Sequence, residues 1–362
     1  MNLEGKMNLL DLGLEKRFQE ESAKYENLYL ARVAEQFGDL YRVISEKGEL
    51  QAKVSGKFSY DTSTNTDYPV VGDWVMIDRM EDTTGDAIIH HILTRKTVFK
   101  RKAAGTANQS QIVASNIDTI FICMALNHDY NLRRLERYLS IAWDSGALPV
   151  IVLTKSDLSK DLETQLLEVE SSAIGVSIIV TSNTISDGYS EIYKYLQKGK
   201  TIAVIGSSGV GKSTMINHLI GKELLATKEI RKDEKGRHTT SSRQLILLEK
   251  GGVVIDTPGM RELHLENADL SKSFEDIEEF AKMCKFSDCT HTSEPGCQVL
   301  KEVENGNISQ KRLENYKKLQ TEISYESLNS RQVEEAKIQR MFGGKKAMKQ
   351  AMDYAKNKRN IK

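Results

Sequence analysis

A chain of 362 residues with 39% hydrophobic content can bury a sizeable core, and its length predicts about two or three domains. Its 51 Lys and Arg cancel 51 Asp and Glu, which excludes a molecule-wide polyanion binder and confines any such site to local basic patches. No uncharged apolar run approaches the roughly 18 residues that a bilayer demands; the longest strand-like runs, TIFICMAL and ALPVIVLT, have eight, so a cytoplasmic protein with no membrane partner is expected.

In chain order, residues 1–27 read as an extension. MNLEGKMNLLDLGLEK breaks its apolar residues with charges and lacks the apolar centre and cleavage site of an export signal. Residues 28–100 then show five short alternating strands, LYLARVAE, LYRVISE, ELQAKVSG, DWVMIDR and DAIIHHIL, separated by polar turns. This count and size suit an all-β OB-fold barrel, which often binds oligonucleotides and equally serves as a spacer. At its exit, RKTVFKRK (Arg95–Lys102) reads as an RNA contact or as a solvated linker.

Over residues 115–265 apolar strands alternate with helical stretches: TIFICMAL, a helical LRRLERYLSIAWDSG, LPVIVLT, helical 159–172, VSIIVTS, helical 188–197, TIAVIG, helical 211–220, RQLILLE and GGVVID. That alternation predicts an α/β core with a mostly parallel, doubly wound sheet. Cys123, inside TIFICMAL, reads as a core thiol. Residues 266–330 are helical and charged and contain three of the four cysteines. Residues 331–362 form a basic helical tail, with ten Lys and Arg against three Asp and Glu (10 − 3 = +7), suited to a solvated face or to RNA contact.

GSSGVGKST, Gly206 to Thr214, matches G-x-x-x-x-G-K-[ST] between a strand and a helix, the context its mechanism requires. Gly206, Ser207, Ser208, Gly209, Val210, Gly211, Lys212, Ser213 and Thr214 are therefore the expected phosphate-binding set. Glycines let backbone N–H groups wrap the β-phosphate, and the helix N-terminus adds the positive end of a dipole. Lys212 is expected to reach the β- and γ-phosphates catalytically, and Ser213 to ligate Mg²⁺. VVIDTPG places Asp256 at a strand end as the second carboxylate holding Mg²⁺ through water, with the Gly259 N–H on the γ-phosphate. Between these motifs, KDEKGRHTTSSR has loop chemistry. If it is a switch ordered by the γ-phosphate, Thr240 closes onto Mg²⁺.

LTKSD, Leu153 to Asp157, lies after the apolar strand PVIV, at a carboxyl end where an open α/β sheet places its ligand. Asp157 can accept two hydrogen bonds from guanine N1–H and the 2-amino group, a donor pair that adenine lacks. A carboxylate buried unpaired against the wrong base makes that discrimination steep. Thr154 and Lys155 complete the loop, with the Lys155 stem over the ring. Further on, IIVTSN brings Thr181 and Ser182 to the next strand end, where backbone N–H groups would meet guanine O6, although the match to the usual Ser-Ala pattern is poor. Base reading thus precedes the phosphate loop and both switches, a circular permutation of the ordinary GTPase order. Chain ends lie at the surface, so moving them need not disturb a core.

Cys284, Cys289, His291 and Cys297 are spaced Cys-x₄-Cys-x-His-x₅-Cys, four ligands suited to tetrahedral zinc. With every position filled by protein, one structural zinc is expected, able to supply much of the folding energy of a small domain.

Taken together, VGDWV, LTKSD, GSSGVGKST, GRHTT, DTPG and CKFSDCTHTSEPGC resemble the circularly permuted, ribosome small-subunit-dependent GTPase A family of bacteria, over residues 28 to about 330. The resemblance implies a permuted P-loop GTPase between an OB-fold barrel and a mostly α zinc-binding domain. It also implies GTP hydrolysis to GDP and phosphate stimulated by the small ribosomal subunit, contact with its rRNA, and a part in late maturation of that subunit. A monomer is expected. Met260, directly after DTPG, cannot orient water as Gln does in many GTPases. His238, in GRHTT, is the candidate in its place. The resemblance implies that this histidine acts, whereas its position alone suits an ordinary solvated loop residue.

Two other readings share parts of the pattern. An ABC-type ATPase would keep the phosphate loop and leave LTKSD unexplained. An RNA-binding assembly scaffold with GTP binding but little hydrolysis would be expected to have lost one of Lys212, Ser213, Asp256 or Asp157, and all four are present.

Overall fold

The computed structural model describes residues 7–56, 58, 67–81, 85–102, 110–184, 188–221, 243–249, 251–256 and 270–326, together with 332 and 339. His238, Thr240, Gly259 and Met260 lie outside the described residues, as does the basic tail apart from those two positions. The chain divides into two compact units, residues 1–101 with 111–263, and residues 102–110 with 264–362. Among the described residues no helix is long and apolar enough to cross a membrane.

The first unit begins with the barrel. Strands β1 (Tyr29–Phe37), β2 (Leu40–Ser45) and β3 (Gly48–Val54) form an antiparallel meander. β3 then pairs in parallel with β5 (Ala87–Ile92), β5 with β4 (Trp74–Ile77), and β4 returns to β1, closing five strands. Alternate side chains point inward, so Val33, Tyr41, Val43, Leu50, Val75 and Ile89 make the barrel core. The basic stretch after the barrel is not a loose linker: β6 (Val98–Lys102) pairs with β7 (Ser110–Ser115) as a separate two-stranded ribbon.

The α/β part adds β8 (Thr119–Ala125), β9 (Leu148–Thr154), β10 (Ser177–Val180), β11 (Thr201–Ile205), β12 (Gln244–Leu247) and β13 (Val253–Asp256) in the spatial order β10-β9-β8-β11-β13-β12. All neighbours run parallel except β12, which is antiparallel to β13. Helices α2 (Leu132–Asp144), α3 (Leu162–Ser172) and α4 (Lys212–Ile220) connect these strands. Continuous apolar runs such as Thr119–Ala125 are buried throughout, as a parallel sheet covered on both faces requires. Residues 188–197, expected as an α-helix, contain a shorter 3-10 turn, Ser190–Tyr195. Its Ile192 is buried and Tyr195 meets Phe121 edge-on at 5.6 Å, so packing sets its path.

The N-terminal extension clasps the two parts of this unit. Helix α1 (Lys16–Ser22) buries Phe18 against Trp74 at 5.8 Å, and Leu9 and Leu12 are buried beside it. Arg32 of β1 is buried under that clasp. Its guanidinium donates to the carbonyls of Leu12, Gly72 and Asn116 and to the Thr201 hydroxyl, and lies 5.4 Å over the Trp74 ring. Gly13 is required where the chain turns here: its φ is +87°, and a Cβ would lie 2.9 Å from the Gly199 carbonyl oxygen.

The second unit is helical where it is described. α5 (Glu275–Ala281), α6 (Gln298–Glu304) and α7 (Gln310–Glu326) bury Ile277, Val299, Leu313, Tyr316 and Leu319. Arg312 closes the bundle with a two-pronged ion pair to Asp276, both contacts at 2.7 Å.

Candidate active site

β11 runs directly into the phosphate loop. At Gly206 φ is +144° and a Cβ would fall 2.4 Å from the Cys123 carbonyl oxygen, so only glycine lets the loop turn off beside β8. Val210 is buried and anchors the loop, while Gly211, at φ +103°, starts α4. The Lys212 ammonium donates to the carbonyl oxygens of Gly206 and Ser207, both at 2.7 Å, and is thereby held across the loop. Ser213 and Thr214 lie in the first turn of α4. Asp256 ends β13, the parallel neighbour of β11. A hydroxyl and a carboxylate on adjacent elements are hard oxygen donors of the kind Mg²⁺ takes.

The base-reading loop is bolted to the phosphate loop. Thr154, at the end of β9, donates its hydroxyl to the Val210 carbonyl at 2.5 Å, and the Lys155 ammonium donates to the Gly209 carbonyl at 2.6 Å. Lys155 adopts a left-handed φ of +56°, which turns the chain sharply into the 3-10 turn Ser156–Leu158 that carries Asp157. One Asp157 oxygen accepts the Ser182 hydroxyl at 2.5 Å. Asp157 itself is exposed, so the protein alone does not desolvate its carboxylate. The Thr181 N–H is committed to the Leu153 carbonyl at 2.8 Å, which leaves Ser182 as the residue of that pair bonded to the Asp157 carboxylate.

In the second unit, the ligand atoms of Cys284, Cys289, His291 and Cys297 all lie within 4.8 Å of one another. The Cys284 and Cys297 sulfurs are 3.9 Å apart, and His291 Nδ1 is 3.7 and 3.4 Å from them. A tetrahedron with ~2.3 Å metal–sulfur bonds has edges of ~3.8 Å, so this donor set fits zinc. His291 has φ +54°, and its carbonyl accepts the Lys317 ammonium. Below it, Glu294 accepts the Thr290 hydroxyl and the N–H groups of Thr290, Thr292 and Ser293. The Thr290 hydroxyl first, and then the loop amides, hold the Glu294 carboxyl well below its ordinary range. The Cys297 sulfur also caps α6 by accepting from Leu300 N at 3.4 Å.

A family model described as RsgA GTPase matches residues 92–266. Small ribosomal subunit biogenesis GTPase RsgA 2 of Lactiplantibacillus plantarum is 53% identical over 344 residues, covering 95% of this chain and 97% of that protein. The chain belongs to the RsgA GTPase family. RsgA 1 of Listeria innocua is 43% identical across 88% of this chain and 90% of its own length. The crystal structure of YjeQ from Thermotoga maritima, 29% identical, superposes with a TM-score of 0.61 over 82% of this chain and 98% of that one. YloQ, described as a circularly permuted GTPase, shares the fold at 24% identity and a TM-score of 0.59, over 84% of this chain and 98% of its own. A second model, described as ABC transporter, matches residues 189–359 and shares the phosphate-loop stretch with the first.

For an RsgA-family chain the permuted order is legible in the sheet, where the strand bearing LTKSD comes earlier in sequence than the strand bearing the phosphate loop yet lies two places from it. Two contributors were missed from sequence. One is the tether from Thr154 to the phosphate loop, for which the threonine of LTKSD was the available signal. The other is Asp129, which reaches Ser207 from the turn after β8. Its signal lay in NHDYNLRR following a strand next to the phosphate-loop strand.

Proposed function

We propose that this chain is a Mg²⁺-dependent GTP hydrolase activated by the small ribosomal subunit, acting in late maturation of that subunit. The observation that supports the reading is the double tether of Thr154 and Lys155 onto Val210 and Gly209, which ties the loop carrying Asp157 to the phosphate loop. Full-length relatives bearing the name small ribosomal subunit biogenesis GTPase support the partner.

In this reading Asp157, steadied by Ser182, takes guanine N1–H and the 2-amino group, and the Lys155 stem covers the ring. The amides from Gly206 to Thr214 wrap the phosphates, and Lys212 meets charge that develops as the γ-phosphoryl leaves. Ser213, Thr240 and Asp256 would hold Mg²⁺, which would supply charge neutralisation at the phosphates. His238 orients the attacking water in place of the glutamine that Met260 replaces, and the Gly259 N–H meets the γ-phosphate. The barrel of residues 28–100 and the basic tail of 331–362 contact rRNA, and residues 115–265 form the GTPase domain. The domain of 266–330 is held by one structural zinc. The protein works in the cytoplasm as a monomer.

GTP turnover with and without purified small ribosomal subunits, for the wild type and His238→Ala, tests the reading. Strong stimulation of the wild type that the variant loses while still binding nucleotide is the expected result. No stimulation would remove the ribosomal activator, and a variant as active as the wild type would move the water-orienting role away from His238.

A further inference from the structure

Asp129 lies in the turn joining β8 to α2, on a strand end adjacent to the phosphate-loop strand. Its Oδ2 accepts the Ser207 hydroxyl at 2.5 Å, across 78 residues of sequence. The carboxylate is itself held before it touches Ser207. Asp129 N donates to Asn127 Oδ1 at 3.0 Å, Arg134 pairs with Asp129 Oδ2 at 2.9 Å, and the same guanidinium donates to the Asp129 carbonyl. Asn131 caps α2 by accepting from Arg134 N at 3.0 Å, so the turn is tied down at successive points.

Ser207 is consequently gripped at both ends. Its hydroxyl rests on Asp129, and its carbonyl is one of the two that carry the Lys212 ammonium. The cation expected to meet charge on the transferring phosphoryl therefore stands on a residue whose position Asp129 sets. A bare carboxylate so near a polyphosphate would repel it, and the Arg134 partner offsets that charge.

We propose that Asp129, neutralised by Arg134, is a positioning residue for hydrolysis that acts through Ser207 to place the Lys212 ammonium; this rests on the GTPase reading above. Guanine contacts and loop amides supply most of the nucleotide affinity, whereas the exact reach of Lys212 matters most where charge develops. Loss of Asp129 thus falls on kcat more than on binding.

The test uses the full-length chain with Mg²⁺ and GTP, with and without small ribosomal subunits, measuring kcat, KM and GDP affinity for the wild type, Asp129→Ala, Asp129→Asn, Ser207→Ala and the Asp129→Ala, Ser207→Ala double variant. Asp129→Ala is expected to lower kcat about tenfold while GDP affinity stays within about twofold. Asp129→Asn, which keeps an acceptor for Ser207, recovers part of the loss. Ser207→Ala matches Asp129→Ala, and the double variant loses no more than either. An inactive wild type would overturn the hydrolase reading itself. An active wild type with unchanged kcat in Asp129→Ala and Ser207→Ala would overturn the positioning role alone, as would losses in GDP affinity and melting temperature that parallel the loss of kcat.

Discussion

Gln244 donates its side-chain amide to Glu35 at 2.7 Å, and the two residues are also backbone partners where β12 meets β1. On its other side Gln244 is in register with Asp256. A single residue therefore joins the barrel to the strand that ends in the proposed magnesium carboxylate, and barrel and α/β sheet form one continuous eleven-stranded sheet.

Glu35 is 3% exposed and also takes Arg42 at 3.2 Å. Glu35→Ala removes the acceptor of the half-buried Gln244 amide, while Arg42 keeps its ion pair to Glu49 at 2.9 Å, so the cost is about 1 kcal/mol. Thermal unfolding is expected to show a melting temperature lowered by roughly 2–4 °C per kcal/mol. An unchanged melting temperature would mean that the junction is held by other contacts.

Asp157→Asn exchanges an acceptor pair for one acceptor and one donor. Affinity for GTP is expected to fall by about 100-fold or more, since two hydrogen bonds to a charged group are lost or weakened. The new pattern suits a base with a carbonyl at position 2, so XTP should gain relative to GTP in a competition assay. Ser182→Ala removes only the hydroxyl that orients Asp157 and should weaken GTP binding less.

Arg32 carries a pH prediction with a definite sign. Burial pulls its guanidinium down from its ordinary value to about 10, against the opposing pull of Asp118, Asp73 and Glu15. A base whose folded pKa is depressed binds fewer protons in the native state only above that value, so this group changes stability with pH only above about 10, where stability rises, and nowhere lower. Arg32→Met should therefore be destabilised by a constant amount from about pH 6 to 9. The size expected is about 3 kcal/mol or more, from several stranded acceptors. Denaturant melts across that range check both, and a difference that varies with pH would place another titrating group at the clasp.

Removing zinc should act on the second unit alone. A strong chelator is expected to abolish amide protection over residues 270–326, because structural zinc supplies roughly 10–16 kcal/mol of apparent binding energy to domains of this kind. Metal analysis should return one zinc per chain, and Cys289→Ser should lower it. Retention of protection in metal-free protein would show that the Arg312–Asp276 pair and the apolar seam suffice.

The sequence by itself determined the family, through motifs written in short contiguous windows: GSSGVGKST at 206–214, LTKSD at 153–157, and the cysteine–histidine spacing from 284 to 297, whose ligand atoms the fold gathers. It also determined the five barrel strands, because alternation with a period of two is local. Only the tertiary structure decided which of these windows grip each other. Thr154 finds Val210 at a separation of 56 residues, Asp129 finds Ser207 at 78, and Glu35 finds Gln244 at 209. No periodicity reports such pairs, since each depends on which strand ends the sheet order brings side by side. The same reason explains why nothing in LYLARVAE marks Arg32: its four acceptors come from Leu12, Gly72, Asn116 and Thr201, which meet only once the clasp, the barrel and β11 are packed together.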